Sequence, residues 1–122
     1  MVCGAVLAAV APAGCADVAE PAAREAAASS AVGDGAARCA LLAGSTVTSL
    51  VREEGESCAE ALAQVPLGSG DVVSVEVWGS DALVHLTDDT FFLTEEDGGW
   101  RVSAASCQPD GQAPYVCQLE SS

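Results

Sequence analysis

The sequence predicts an α+β domain in which N-terminal helices pack on one face of a curved, antiparallel, four-stranded meander. Three observations carry this: helix-spaced apolar residues with capping side chains fill the first half, short strand-like runs between Gly and Asp turns fill the second, and Pro66 with Gly68-Ser69-Gly70 divides them.

Residues 16–32 are rich in Ala, with Asp17, Glu20, Arg24 and Glu25 interspersed, and read as a tether running into a first helix. Pro21 suits a first helical turn, and Val18, Ala22, Ala26 and Val32 are spaced to face inward. Gly33-Asp34-Gly35 breaks this helix. Asp34 is placed to accept from the free amides that open a second helix, 36–43, carrying Cys39, Leu41 and Leu42. Another turn or two is expected over 45–51. Gly55 then interrupts, and Ser57 with Glu60 three residues on has the form of a capping box for a last helix, 58–64.

The character changes at Val72. Val73, Val75 and Val77 recur at the strand period of two, and turns at 79–81, 88–89 and 97–99 lead into strands over 82–87, 90–95 and 100–106. The segment from Cys107 to Cys117 contains Pro109, Gly111 and Pro114 and reads as a turn-rich excursion bracketed by cysteines.

In 122 residues there is room for one domain with a small core, and its aromatic side chains are Phe91, Phe92, Trp78, Trp100 and Tyr115. Trp78 and Trp100 are expected in that core. The chain has 18 Asp and Glu against four Arg and no Lys, a formal net charge of −14. Nucleic acid is therefore a poor partner, because binding it depends on neutralising phosphates with basic side chains. Anionic headgroups repel such a domain too, so any membrane attachment has to come from insertion or a lipid chain.

Gly4 to Ala13 is an uncharged apolar run ending in small residues, the shape of a signal-peptide core and cleavage zone, although Met1, Val2 and Cys3 supply no basic start. Ala11-Pro12-Ala13 fits ordinary secretory cleavage before Gly14. Ala13-Gly14-Cys15 instead resembles the end of a lipobox, in which a lipid is attached to the Cys15 thiol, with Pro12 standing where Leu, Val or Ile is usual. Cysteine parity favours the lipobox. Ordinary cleavage leaves five thiols, whereas lipidation consumes Cys15 and leaves Cys39, Cys58, Cys107 and Cys117 free to pair completely. Three pairings exist. The favoured one closes the tail with Cys107 and Cys117 and joins Cys39 to Cys58, a loop worth about 3 kcal/mol on the chain-entropy model. The expected division is thus a signal peptide over 1–15, a tether and first helix over 16–32 and a globular domain over 33–122.

The segments Gly33-Asp34-Gly35-Ala36-Ala37-Arg38-Cys39-Ala40-Leu41-Leu42-Ala43, Ser57-Cys58-Ala59-Glu60-Ala61-Leu62, Val77-Trp78-Gly79 and Gly98-Gly99-Trp100-Arg101-Val102, followed by Cys107 and Pro114-Tyr115, resemble small lipoproteins of high-GC Gram-positive bacteria with a nuclear transport factor 2-like fold. The resemblance covers roughly Ala16 to the end. It implies a cone-shaped α+β domain on the outer face of the cell membrane more than any activity, since that superfamily holds pocket isomerases, cyclases and dehydratases beside proteins that only bind or dimerise.

His85 is the sole histidine and shares a strand face with Leu83 and Thr87. Its pKa class suits a general base, but no orienting partner is evident and an ordinary strand position is the simpler reading. Asp88-Asp89 and Glu95-Glu96-Asp97 fall at turns, where solvated acids are common. Neither a calcium loop nor a CxxC zinc pair is present, so no metal or cofactor is expected. A GxSxG elbow is also missing. Tyr115 beside Pro114 is the better candidate for ligand contact, with His85 second. The expected function is a non-enzymatic accessory or binding module of the cell envelope, lipid-anchored, with a small-molecule or protein partner or a second copy of itself. The alternatives are a soluble secreted domain and a pocket isomerase or cyclase that uses His85 or an inward acid such as Glu76.

Overall fold

A computed structural model describes residues 13–110 and 113–121, with the side chains of residues 18–109 and 115–121. Among these residues four helices precede five strands: α1 (Ala13–Val32), α2 (Gly35–Ala40), α3 (Gly44–Glu54) and α4 (Cys58–Leu62), then β1 (Val72–Trp78), β2 (Asp81–Leu86), β3 (Thr90–Glu96), β4 (Gly99–Asp110) and β5 (Ala113–Glu120). The strands form one antiparallel sheet in the order β1-β2-β3-β4-β5. The α+β class and the meander are as expected. The sheet has five strands instead of four.

Local capping chemistry sets the starts of α2 and α4. The Asp34 carboxylate accepts from the Ala37 amide at 2.9 Å, and the Ser57 hydroxyl accepts from the Glu60 amide at 3.4 Å while donating to the Glu60 carboxylate at 3.0 Å. Gly55 ends α3 in the left-handed conformation at φ 70°, and its amide donates to the Val51 carbonyl at 2.8 Å. A disulfide from Cys39 to Cys58 ties α2 to the start of α4.

The long helix α1 lies across β1 to β4. Its packed stripe is Ala19, Ala23, Ala27 and Ala31, flanked by Ala26 and Ser30, so the expected inward set is rotated. Val18 and Val32 are exposed, at 40 % and 80 %, and Ala22 is exposed as well. A stripe of methyl groups at i, i+4 lets the helix axis approach the sheet closely, and a β-branched residue there would hold it off. The helix also begins earlier than expected, which leaves Pro21 in its interior on the exposed side, where it removes one helical hydrogen bond.

Between helices and sheet lie Leu42, Leu50, Leu62, Val84, Phe91, Leu93, Trp100, Val102 and Leu119, all buried. Trp78 is not among them. It ends β1 opposite Asp81 on the sheet face turned away from the helices and is 52 % exposed. A register irregularity between Val72 and Ser74 has a similar effect at the other end of β1. Val72 packs against the core and Val73 is left 61 % exposed, while Val75 and Val77 stay partly buried as expected.

The tail is the main departure in topology. Residues 107–110 and 113–117 pair as two antiparallel arms of a β-hairpin, with Cys107 directly opposite Cys117 and bonded to it. Pro109 sits in the register irregularity between Gln108 and Asp110, where the ladder does not require its missing amide. Strand β4 outruns its partner β5, which begins to pair only at Ala104. The rest of that edge is covered by residues 41–43, where Val102 donates to the Leu41 carbonyl at 2.7 Å and Ala43 donates to the Val102 carbonyl at 2.8 Å.

Candidate functional site

Strand alternation on the face away from the helices places a row of half-buried side chains, Leu83 and His85 on β2, Phe92 and Thr94 on β3 and Arg101 on β4, together with the buried Thr90 of β3. Where β3, β4 and β5 run side by side this face opens into a groove of about 380 Å³. Phe92, Ser103, Tyr115, Cys117, Glu120 and Ser121 line it, with Ala104 at its floor. The Phe92 and Tyr115 rings meet edge to face, centroids 5.4 Å apart and planes at 75°. Both remain half-buried. The Ser103 hydroxyl donates to the Phe92 carbonyl at 3.1 Å and its own carbonyl accepts from the Thr46 hydroxyl at 2.8 Å, which fixes β4 at the bulge beside the groove. The Cys107–Cys117 bridge fixes β5 on the other side.

Tyr115 therefore lines the groove, and His85 is not among its lining residues. The His85 ring nitrogen Nδ1 lies 3.2 Å from the Thr90 hydroxyl, its partner across the β2–β3 ladder. Glu76 is exposed opposite Leu83 on the same outer face, so neither His85 nor Glu76 points into the space between helices and sheet. Phe91 and Trp100 occupy that space. Among the described residues no three His, Cys, Asp or Glu side chains converge as a metal site would require, and no helix is long and apolar enough to cross a membrane. The backbone of Cys15 belongs to α1, and its side chain lies outside the described residues.

The acids at 88–89 stand at the expected turn, Asp88 exposed and Asp89 half-buried, but both carboxylates are engaged by backbone amides. The Asp89 carboxylate accepts from four backbone amides: Gly68 at 2.9 Å, Thr90 at 2.7 Å, Ser106 at 3.0 Å and Cys107 at 3.1 Å. Asp88 accepts from Ser69 at 3.1 Å and Gly70 at 2.9 Å. These bonds, from Ser69 and then Gly70, hold the Asp88 carboxyl below its ordinary value of 3.8 against a small opposing effect of burial. A Cβ on Gly68 would come within 2.4 Å of the Asp89 Cβ, so the 67–71 loop can seat here only without a side chain at that position. Arg38 completes the junction, its guanidinium donating to the carbonyls of Ala31 and Gly68. The pair thus pins the loop between α4 and β1 to the bend of β4, where Ser106 adopts φ 56°. Consecutive aspartates are an ordinary turn signal, and nothing in the sequence pairs them with amides so far away.

Comparison with protein-family models, with characterised proteins and with solved structures finds no match. Function has to be read from the groove and the cysteines.

The two disulfides fit an oxidising, extracytoplasmic compartment. They use Cys39, Cys58, Cys107 and Cys117 in the favoured pairing and leave Cys15 outside it.

Proposed function

We propose that the chain is an exported cell-envelope protein, held at the outer face of the membrane by a lipid on Cys15, whose domain is a non-enzymatic binding module with its ligand site in the Phe92–Tyr115 groove. The observation that carries the binding site is the half-buried aromatic pair on a rigid, disulfide-closed part of the sheet, while the helix–sheet space is filled by core side chains. The anchor rests on cysteine economy: four of the cysteines pair with one another and Cys15 stands apart, after an apolar run. The nuclear transport factor 2-like reading is supported by helices that precede an antiparallel sheet and lie on one of its faces.

The anchor is tested by intact mass and membrane fractionation of the native product beside Cys15→Ser. A lipid mass increment and membrane recovery, both lost in Cys15→Ser, are expected. A soluble product beginning at Gly14 refutes the anchor and leaves a secreted module. The binding site is tested by a fragment screen followed on the ring resonances of Phe92 and Tyr115. Hits that map to another surface refute the groove.

A further inference from the structure

The chemistry of the groove narrows the class of ligand. In an edge-to-face pair the edge of one ring meets the face of the other, so one ring keeps both of its faces free of its partner. Ring faces carry negative charge density and attract cations. Glu120 adds a carboxylate at the exposed end of the groove. The Ser103 hydroxyl has committed its proton to the Phe92 carbonyl, so toward a ligand it presents lone pairs. Cys117 contributes a disulfide sulfur without a proton.

No Arg stands among the described lining residues. Arg101, on the same face of β4, donates to its own neighbour, the Trp100 carbonyl, at 3.0 Å and lies over the Gly98-Gly99 turn at the far end of the β3–β4 hairpin. Among the described lining residues the sole charged side chain is therefore the Glu120 carboxylate, and the Tyr115 and Ser121 hydroxyls, which can accept as well as donate, are neutral polar groups beside it. A formal net charge of −14 draws cations toward the domain from a distance and repels anions.

We propose that the groove binds a small organic ammonium, of the quaternary or alkylated amine class, with its alkyl groups on the Phe92 and Tyr115 rings and its charge toward Glu120. This rests on the reading of the groove as the ligand site and goes further by assigning the ligand's charge. A simple metal ion does not fit as well, because the lining offers one carboxylate where such ions take several oxygens.

The test uses three probes of one shape on the disulfide-intact protein: choline, its uncharged carbon isostere neopentyl carbinol, and the anion tert-butylacetate. Binding is followed by the Phe92 and Tyr115 ring resonances. Choline is expected to saturate these shifts, with the neutral isostere about tenfold weaker and the anion weaker still. Glu120→Gln should weaken choline severalfold while leaving the neutral probe unchanged. Tyr115→Leu keeps apolar bulk and should cost choline about tenfold; unreduced intact mass and circular dichroism confirm that its hairpin is retained. If neopentyl carbinol binds as well as choline, the groove stands as a binding site and the ammonium assignment is overturned. If none of the three moves either ring, both the assignment and the groove are overturned.

Discussion

Replacing Asp89 with Ala is the sharpest test of how the sheet is held. Three of the four amides it accepts are distant in sequence, from Gly68, Ser106 and Cys107, at separations of 21, 17 and 18 residues. A hydrogen bond to a charged acceptor contributes about 1.5–3 kcal/mol, and an amide left without an acceptor in the interior costs about 1–3 kcal/mol. Asp89 is only half-buried, so water recovers part of this. The expected loss for Asp89→Ala is about 3–4 kcal/mol, a large share of the 5–15 kcal/mol typical of a domain. Asp89→Asn keeps one oxygen but turns an NH₂ group toward the other amides, and about 2 kcal/mol is expected. Asp88, exposed and bonded to two amides, should cost about 1 kcal/mol as Ala. Guanidinium unfolding at neutral pH with the disulfides intact, followed by circular dichroism, measures all three, and unchanged slopes would attribute the shifts to stability. A loss below about 1 kcal/mol for Asp89→Ala, or one equal to that of Asp88→Ala, refutes this account of the junction.

Two further outcomes follow from the same structure. Because the Asp88 carboxyl titrates lower in the folded chain than its ordinary value of 3.8, its contribution to stability is full above that pH and is lost as pH falls through the depressed folded value. Acid titration of unfolding free energy should therefore fall less steeply below about pH 4 in Asp88→Asn than in the wild type, and coincident curves would contradict this. On α1, Ala27→Leu forces three more heavy atoms into a fully buried site and should destabilise by about 1–3 kcal/mol, whereas Ala22→Leu on the exposed side should stay within about 0.5 kcal/mol. Equal melting temperatures for these two variants would mean that the helix is rotated from the orientation described here.

Much of the architecture was legible because it is built from local interactions. Asp34 and Ser57 cap the amides three residues ahead of them, and their helices start where these side chains predict. Gly55 ends its helix through a bond to Val51, four residues back. Period-two valines and turn clusters placed strands β1 to β4. The fifth strand was hidden because Pro109, Gly111 and Pro114 carry turn propensity, and only pairing with β4 across the Cys107–Cys117 bridge makes that segment a ladder. The candidate site was half legible. Tyr115 could be singled out as the aromatic beside Pro114 in the cysteine-bracketed segment, but Phe92 becomes its partner only when β3, β4 and β5 lie side by side.

The sequence by itself determined the α+β class, the order of helices before sheet, the starts of α2 and α4 and an even number of cysteines. These depend on contacts within a turn or on counts, which the chain carries at every stage of folding. Tertiary structure decided which stripe of an Ala-rich helix is buried, which face of β1 holds its valines, and that Asp88 and Asp89 accept amides from distant backbone. It also decided that Phe92 and Tyr115 share a groove. An alanine or an aspartate has no fixed environment of its own, and its surroundings are set by whichever distant backbone the sheet brings to it.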